Sequence, residues 1–165
     1  MAYLLDANVF IQAKRLHYGF DFCPAFWDWL DRENQAGRVI SIEKVGDEID
    51  AGGDEVSAWA AARGPNLFLP PDAAMLGSLP DISNWVTGRS YSAAAVTTFL
   101  QVADYYLVGR ALAHGDVVVT HEISEPLSRK KVKIPDVCIG LGVKCMTPFA
   151  MLRKEKARFI LRPKP

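Results

Sequence analysis

The sequence predicts a single α/β domain with a mainly parallel central sheet. Three observations carry this. Short β-rich runs alternate with helix-patterned segments, several runs end in an acidic or hydroxyl residue, and half of the 165 residues are hydrophobic. A chain near this length can bury roughly 68–70% of its extended surface, enough for one real core.

Taken in order, Tyr3-Leu4-Leu5 running into Asp6 reads as a buried strand with an acid at its carboxyl end. Pro24 suits a first helical turn, and Phe26, Trp27 and Leu30 recur at helical spacing as far as about Gly37. Val39 to Ile42 is a second strand, followed by a helix over about Glu43–Asp50 that Gly52-Gly53 ends. Asp54 is placed to cap a further helix through Trp59 to Ala62. From Gly64 to Ser90, Pro65, Pro70-Pro71 and Pro80 punctuate the chain, predicting loops, a strand near 67–69 and a short helix or two. Ser92 to His114 reads as one long helix stopped by Gly115. Val117-Val118-Val119-Thr120 is the clearest strand, and Val143 to Met146 is the last, ended by Pro148. The expected organisation is a domain over 1–150 and a basic tail over 151–165 that is part of it or packed on it.

Composition excludes several classes. The apolar fraction and balanced charge exclude general disorder, and no apolar run nears the ~18–20 residues of a membrane span. The start meets Asp6 without a basic segment and does not read as a signal peptide. Cys23, Cys138 and Cys145 are odd in number and lack a C-x-x-C spacing, which argues against a disulfide framework or thiolate zinc site and fits a reducing cytoplasm. The zero net charge conceals a split. Residues 1–128 hold 8 basic and 17 acidic side chains, and residues 129–165 hold 11 basic and 2 acidic, a charge of −9 against +9. A split of that size keeps nucleic acid in view as a partner.

In parallel sheets ligands bind beyond the carboxyl ends of strands, so the acids there are the candidates. Asp6 ends the first strand, Glu122 follows the strand at 117–120, and Glu48 lies about a turn past the strand at 39–42. Asp104 sits at the edge of an apolar face formed by Val96, Leu100, Ala103, Leu107 and Ala111, where a carboxylate is costly unless something satisfies it. Four converging acids would repel and raise one another's pKa values, and a divalent cation with oxygen ligands, Mg²⁺ or Mn²⁺, removes that penalty. Each acid also has an ordinary use. Asp6 can cap the turn at Ala7, Glu48 can be solvated surface, Asp104 can begin a restarted helix, and Glu122 can pair with a nearby cation.

Leu4-Leu5-Asp6-Ala7-Asn8-Val9-Phe10-Ile11 resembles the opening motif of PIN-domain nucleases. Val45-Gly46-Asp47-Glu48-Ile49 resembles their second motif, with Glu43 as the fallback acid. Ala103-Asp104-Tyr105-Tyr106-Leu107 and Val117-Val118-Val119-Thr120-His121-Glu122 resemble the third and fourth. The order is the family's, and with Lys133-Ile134-Pro135-Asp136-Val137-Cys138 the nearest likeness is a PIN-like branch related to VapC toxins. Two features depart from the pattern. The fourth motif offers Glu rather than Asp, and the 64–100 region is longer than in compact toxins.

The resemblance implies a three-layer α/β/α PIN-like domain and a metal-dependent endoribonuclease, the toxin of a type II toxin–antitoxin pair. It implies Asp6 and Asp104 as principal Mg²⁺ or Mn²⁺ ligands, with Glu48 completing the set. Glu122 or Asp136 would serve a second ion or metal-bound water. Asn8 would position Asp6, and Thr120 would hydrogen-bond the cluster. The chemistry requires the carboxylates of Asp6, Glu48 and Asp104 to converge. Arg129, Lys130, Lys131 and Lys133 would hold the RNA backbone, and Arg153, Lys154, Lys156, Arg158, Arg162 and Lys164 would extend that surface.

The partners implied are RNA, a cognate antitoxin and a second copy of the chain, with no membrane. Phe22, Phe26, Trp27 and Trp29 cluster near the first long helix. Trp29, if off the packed face, would add an apolar patch for dimer or antitoxin. His114 suits a helix C-terminus, and His17 and His121 have no zinc spacing. The alternative is a PIN-like module without activity that binds RNA or protein. A dehalogenase-like phosphatase needs an acid where Asn8 stands, and a receiver domain needs an acidic pair that is absent.

Overall fold

The computed structural model describes residues 1–161; Arg162 and Lys164 of the basic tail lie outside them. Five short parallel strands form one sheet in the order β3-β2-β1-β4-β5: β1 Tyr3–Leu5, β2 Val39–Ile42, β3 Phe68–Leu69, β4 Val117–Val119 and β5 Cys145–Met146. Leu4 is paired with Ile40 on one side and Val118 on the other. Leu4, Leu5, Val39, Val118 and Val119 are fully buried, as strands covered on both faces require. Helices cover the two faces, giving the expected three-layer α/β/α arrangement.

The chain leaves β1 toward β2 and β3, then returns to the opposite side of β1 for β4 and β5. The reversal opens a crevice beyond the carboxyl ends of β1 and β4, the position where open α/β sheets bind ligands. Asp6 and Thr120 are the residues immediately after those two strands.

The helices are α1 Ala7–Gln12, α2 Pro24–Gln35, α3 Glu43–Asp50, α4 Glu55–Ala61, α5 Ala73–Thr87, α6 Ala93–Gln101, α7 Ala103–His114, α8 Ile134–Leu141 and α9 Pro148–Lys154. A π-helical turn, Ala13–His17, extends α1. Asp54 caps α4 by accepting from the N–H groups of Val56 and Ser57, while Ser57 completes a reciprocal capping box. α9 crosses the expected tail boundary and seats Met151 and Leu152 in the core.

Three expectations are corrected. The helix expected over 92–114 is two helices, because Val102 is extended (φ −102°, ψ 170°) between α6 and α7. Asp104 thereby falls in the first turn of α7, where the partial positive charge of the helix end favours a carboxylate. The proline-punctuated stretch contains a 15-residue helix, α5, with Pro80 inside it. Tertiary bonds to α7 hold that helix: the Ser78 hydroxyl donates to the Gly109 carbonyl at 2.8 Å, and Tyr105 donates to the Leu79 carbonyl at 2.9 Å. Finally, Trp29 is buried with Phe26, Trp27 and Leu30, leaving only Phe22 of that aromatic group exposed. His114 does support the end of α7, through a 2.9 Å contact with Asp72 at the start of α5.

Candidate active site

The buried acids divide by what satisfies them. Glu33 meets Arg32 at 3.0 Å and Arg38 at 2.5 Å, and the Arg38 hydrogen bond holds its pKa below the ordinary range. Asp116 meets Arg110 at 3.3 Å and the Ala2 N–H at 2.8 Å. Asp6, 4% exposed, has no ion-pair partner among the described residues. Burial is the main cause that raises its carboxyl to about 7, and the charges of Asp104 and Glu122 push the same way. Asp104 is raised to about 6, first by burial, then by Glu122 and Glu48. Among the described residues no other side chain donates a hydrogen bond to it. Glu48 has an exposed surface overall, yet partial burial of its carboxyl raises its pKa as well.

One hydroxyl organises the crevice. Thr120 donates to Asp6 Oδ2 at 2.8 Å and accepts from Asn8 Nδ2 and from the Glu122 N–H, each at 3.0 Å. A hydroxyl has one proton and two lone pairs, so its capacity is fully used. Asn8 Oδ1 in turn accepts from the His121 N–H at 3.0 Å, tying the start of α1 to the end of β4. Asn8 therefore acts on Asp6 through Thr120 rather than by direct contact. Asp6 occupies the cap position of α1 but makes no side-chain cap there. Its carboxylate is turned to Thr120 instead.

Glu122 has two local partners. Its Oε2 accepts from the Ile134 N–H at 2.8 Å, satisfying the first turn of α8, and its Oε1 lies 3.3 Å from Lys131 Nζ. Lys131 also acts on Asp104, lowering that carboxyl's pKa, so one lysine serves two acids of the cluster. The sequence marks Lys131 as an RNA contact; its place as counter-ion nine residues from Glu122 depends on the path of the loop. Asp136 stands apart from this set. Its carboxylate accepts from the Ser124 hydroxyl and, at 2.9 Å, from the Glu125 N–H, holding the 122–125 loop to α8. Of the remaining loop cations, Lys133 lies 3.5 Å from Glu125, while Arg129 and Lys130 are exposed.

A cavity of about 460 Å³ opens beside these acids, lined by Glu48, Asp104, Lys130, Lys131, Phe99 and Val132. The acids are near enough to perturb one another, Asp6 with Asp104 and Glu122, and Asp104 with Glu122 and Glu48. Among the described residues no three Asp, Glu, His or Cys side chains close into a complete ligand set. The oxygen donors suit a hard divalent cation, and the raised pKa values of Asp6 and of Asp104, the latter offset only in part by Lys131, are the electrostatic condition that such an ion relieves. The rings of His17 and His121 lie 5.4 Å apart, each against Phe149, and belong to no such set.

A family model described as a domain of unknown function, DUF4411, matches residues 3–159. No curated protein sequence matches the chain. Among solved structures, VapBC-1 from nontypeable Haemophilus influenzae is similar over 89% of this chain and 98% of its own, with a TM-score of 0.52 and 13% identity. VapBC2 from Rickettsia felis, solved bound to a DNA fragment from its promoter, is similar over the same shares, with a TM-score of 0.53 and 12% identity. At such identities the likeness is one of fold, and it bears out the PIN-like, VapC-related architecture expected from the motifs.

Proposed function

This chain belongs to the DUF4411 family, and we propose that it is a metal-dependent endoribonuclease hydrolysing RNA phosphodiester bonds, the toxin of a toxin–antitoxin pair. The observation that carries the reading is the buried Asp6, with no ion-pair partner among the described residues, beside the largely shielded Asp104, which only Lys131 offsets, at the switch point of the sheet. Burying unpaired charge costs stability, and such sites concentrate where chemistry needs them.

In this reading Asp6, Asp104 and Glu48 hold Mg²⁺ or Mn²⁺, with Glu122 at the margin. The ion would activate water and relieve charge on the scissile phosphate. Thr120 keeps one Asp6 oxygen engaged and so fixes the direction of the other. Asn8 fixes Thr120, and Lys131 holds the Glu122 carboxylate at the rim. Arg129, Lys130 and Lys133 supply sequence-independent, salt-sensitive attraction for the RNA backbone. A cognate antitoxin belongs to the same proposal, supported by the VapBC fold neighbours, and a dimeric assembly and a cytoplasmic setting are proposed with it.

One observation favours a second reading. Lys131 already neutralises part of the cluster, which suits a PIN-like module without activity that binds RNA or protein. The deciding experiment is cleavage of varied single-stranded RNAs with and without Mg²⁺ or Mn²⁺. Asp6→Asn and Asp104→Asn proteins with unchanged circular dichroism should lose at least about a hundredfold in rate. Retained cleavage in both overturns the site. Tight RNA binding without cleavage under any metal condition selects the inactive module.

A further inference from the structure

A second cavity, of about 690 Å³, opens on the other side of the same loop and plays no part in the proposed chemistry. Its wall includes Trp85 near the end of α5, Arg89, Tyr91, Ser128, Arg129 and Gly140 of α8. Trp85 reaches this position because Gly140 has no side chain; a Cβ there would collide with the indole ring. The Arg89 guanidinium lies over the indole, 4.5 Å from its centroid, and the Tyr91 ring is 6.5 Å away. Arg89 is exposed, and among the described residues neither Arg89 nor Arg129 forms an ion pair. The one acid in the wall, Asp136, is engaged by Ser124 and the Glu125 N–H.

Flat aromatic and guanidinium surfaces joined to unpaired cations recognise single-stranded nucleic acid: bases stack on the flat groups while cations hold phosphates. The position agrees. The Arg129 carbonyl accepts from the Ser92 N–H at 2.8 Å, pinning the loop to the start of α6. Two residues on, Lys131 pairs with Glu122, so a backbone span of at most ~7 Å connects the two cavities. Leu127 and Ile139 at the rim are exposed and would suit a protein partner. The two free guanidinium groups weigh toward a polyanion.

We propose that this cavity binds a base of single-stranded RNA flanking the cleaved phosphate. The base stacks on the Arg89–Trp85 pair and Tyr91, and Arg129 holds the adjoining phosphate. The proposal rests on the nuclease reading only for what lies next to it. Trp27, Trp29 and Trp59 are at most 9% exposed, which leaves Trp85 as the tryptophan a ligand can reach. The test titrates full-length protein in EDTA with single-stranded 12-mer RNAs and follows tryptophan emission. Quenching is expected, absent in Trp85→Phe, and Arg89→Ala should weaken binding about tenfold. Cleavage of a dinucleotide too short to span both cavities should be unchanged in Arg89→Ala.

Saturating RNA without quenching, together with unchanged affinity in Arg89→Ala, overturns the proposal even if the enzyme cleaves RNA. Quenching and weakened binding without any cleavage uphold it and remove the nuclease reading instead. An Arg89→Ala defect confined to a protein partner, with RNA affinity intact, assigns the surface to that partner and overturns it as well.

Discussion

Thr120 donates its only hydroxyl proton to Asp6, 2.8 Å away, across the boundary between β4 and β1. That bond lowers the Asp6 pKa against the burial and repulsion that raise it. Thr120→Val keeps the shape and removes the donor. It should cost about 2 kcal/mol at pH 8, because a buried carboxylate and two N–H donors each lose a partner. Thr120→Ser should recover most of the loss. Urea denaturation of the three proteins at pH 8 checks this, and equal stability of Val and Thr proteins would remove Thr120 from the support of Asp6.

Asp6 is raised from 3.8 to about 7, so the folded state binds its proton more tightly than the unfolded chain does. Its contribution to metal-free stability is therefore highest below pH ~4, declines as pH rises through about 7, and is flat above. Asp6→Asn retains an oxygen for Thr120 and removes the titration. It should be nearly neutral at pH 4 and stabilising by about 2 kcal/mol at pH 8. Thermal melts across that range in EDTA measure the difference. A pH-independent difference would mean that Asp6 is not held near neutrality.

Much of this site was legible because its residues sit beside strong local signals. The run Tyr3-Leu4-Leu5 and the run Val117-Val118-Val119 mark strands without help from other elements, and Asp6 and Thr120 directly follow them. The break at Val102 was not legible, because the apolar spacing of Val96, Leu100, Ala103 and Leu107 continues across it. Helix α5 was hidden for the opposite reason. Pro80 signals interruption locally, and the bonds that hold it come from Gly109 and Tyr105 on another helix. The Lys131–Glu122 pair and the Trp85–Gly140 contact depend on loop path and helix packing, which carry no mark in spacing.

Asp136 was a rival for the fourth carboxylate, and its contacts describe a loop anchor. Asp136→Ala should cost about 1–3 kcal/mol and speed hydrogen exchange at Glu125 and its loop neighbours. Calorimetric Mn²⁺ affinity should change less than about threefold, against a much larger loss in Asp104→Asn. A tenfold loss of Mn²⁺ affinity with loop exchange unchanged would make Asp136 a ligand.

Gly140 sets two effects of opposite sign against each other. Alanine is favoured over glycine within a helix by ~1 kcal/mol, and Gly140 is exposed inside α8, so propensity alone predicts that Gly140→Ala stabilises. Its Cβ would instead enter the space of the Trp85 indole, a rigid ring packed against the core. Overpacking of this kind costs ~1–3 kcal/mol, which outweighs the propensity gain. Gly140→Ala should thus destabilise the protein by about 1–2 kcal/mol. In a Trp85→Leu background the collision is gone, and the same substitution should become stabilising. A double-mutant cycle by urea denaturation isolates the coupling; the same sign in both backgrounds would show that Trp85 does not rest on Gly140.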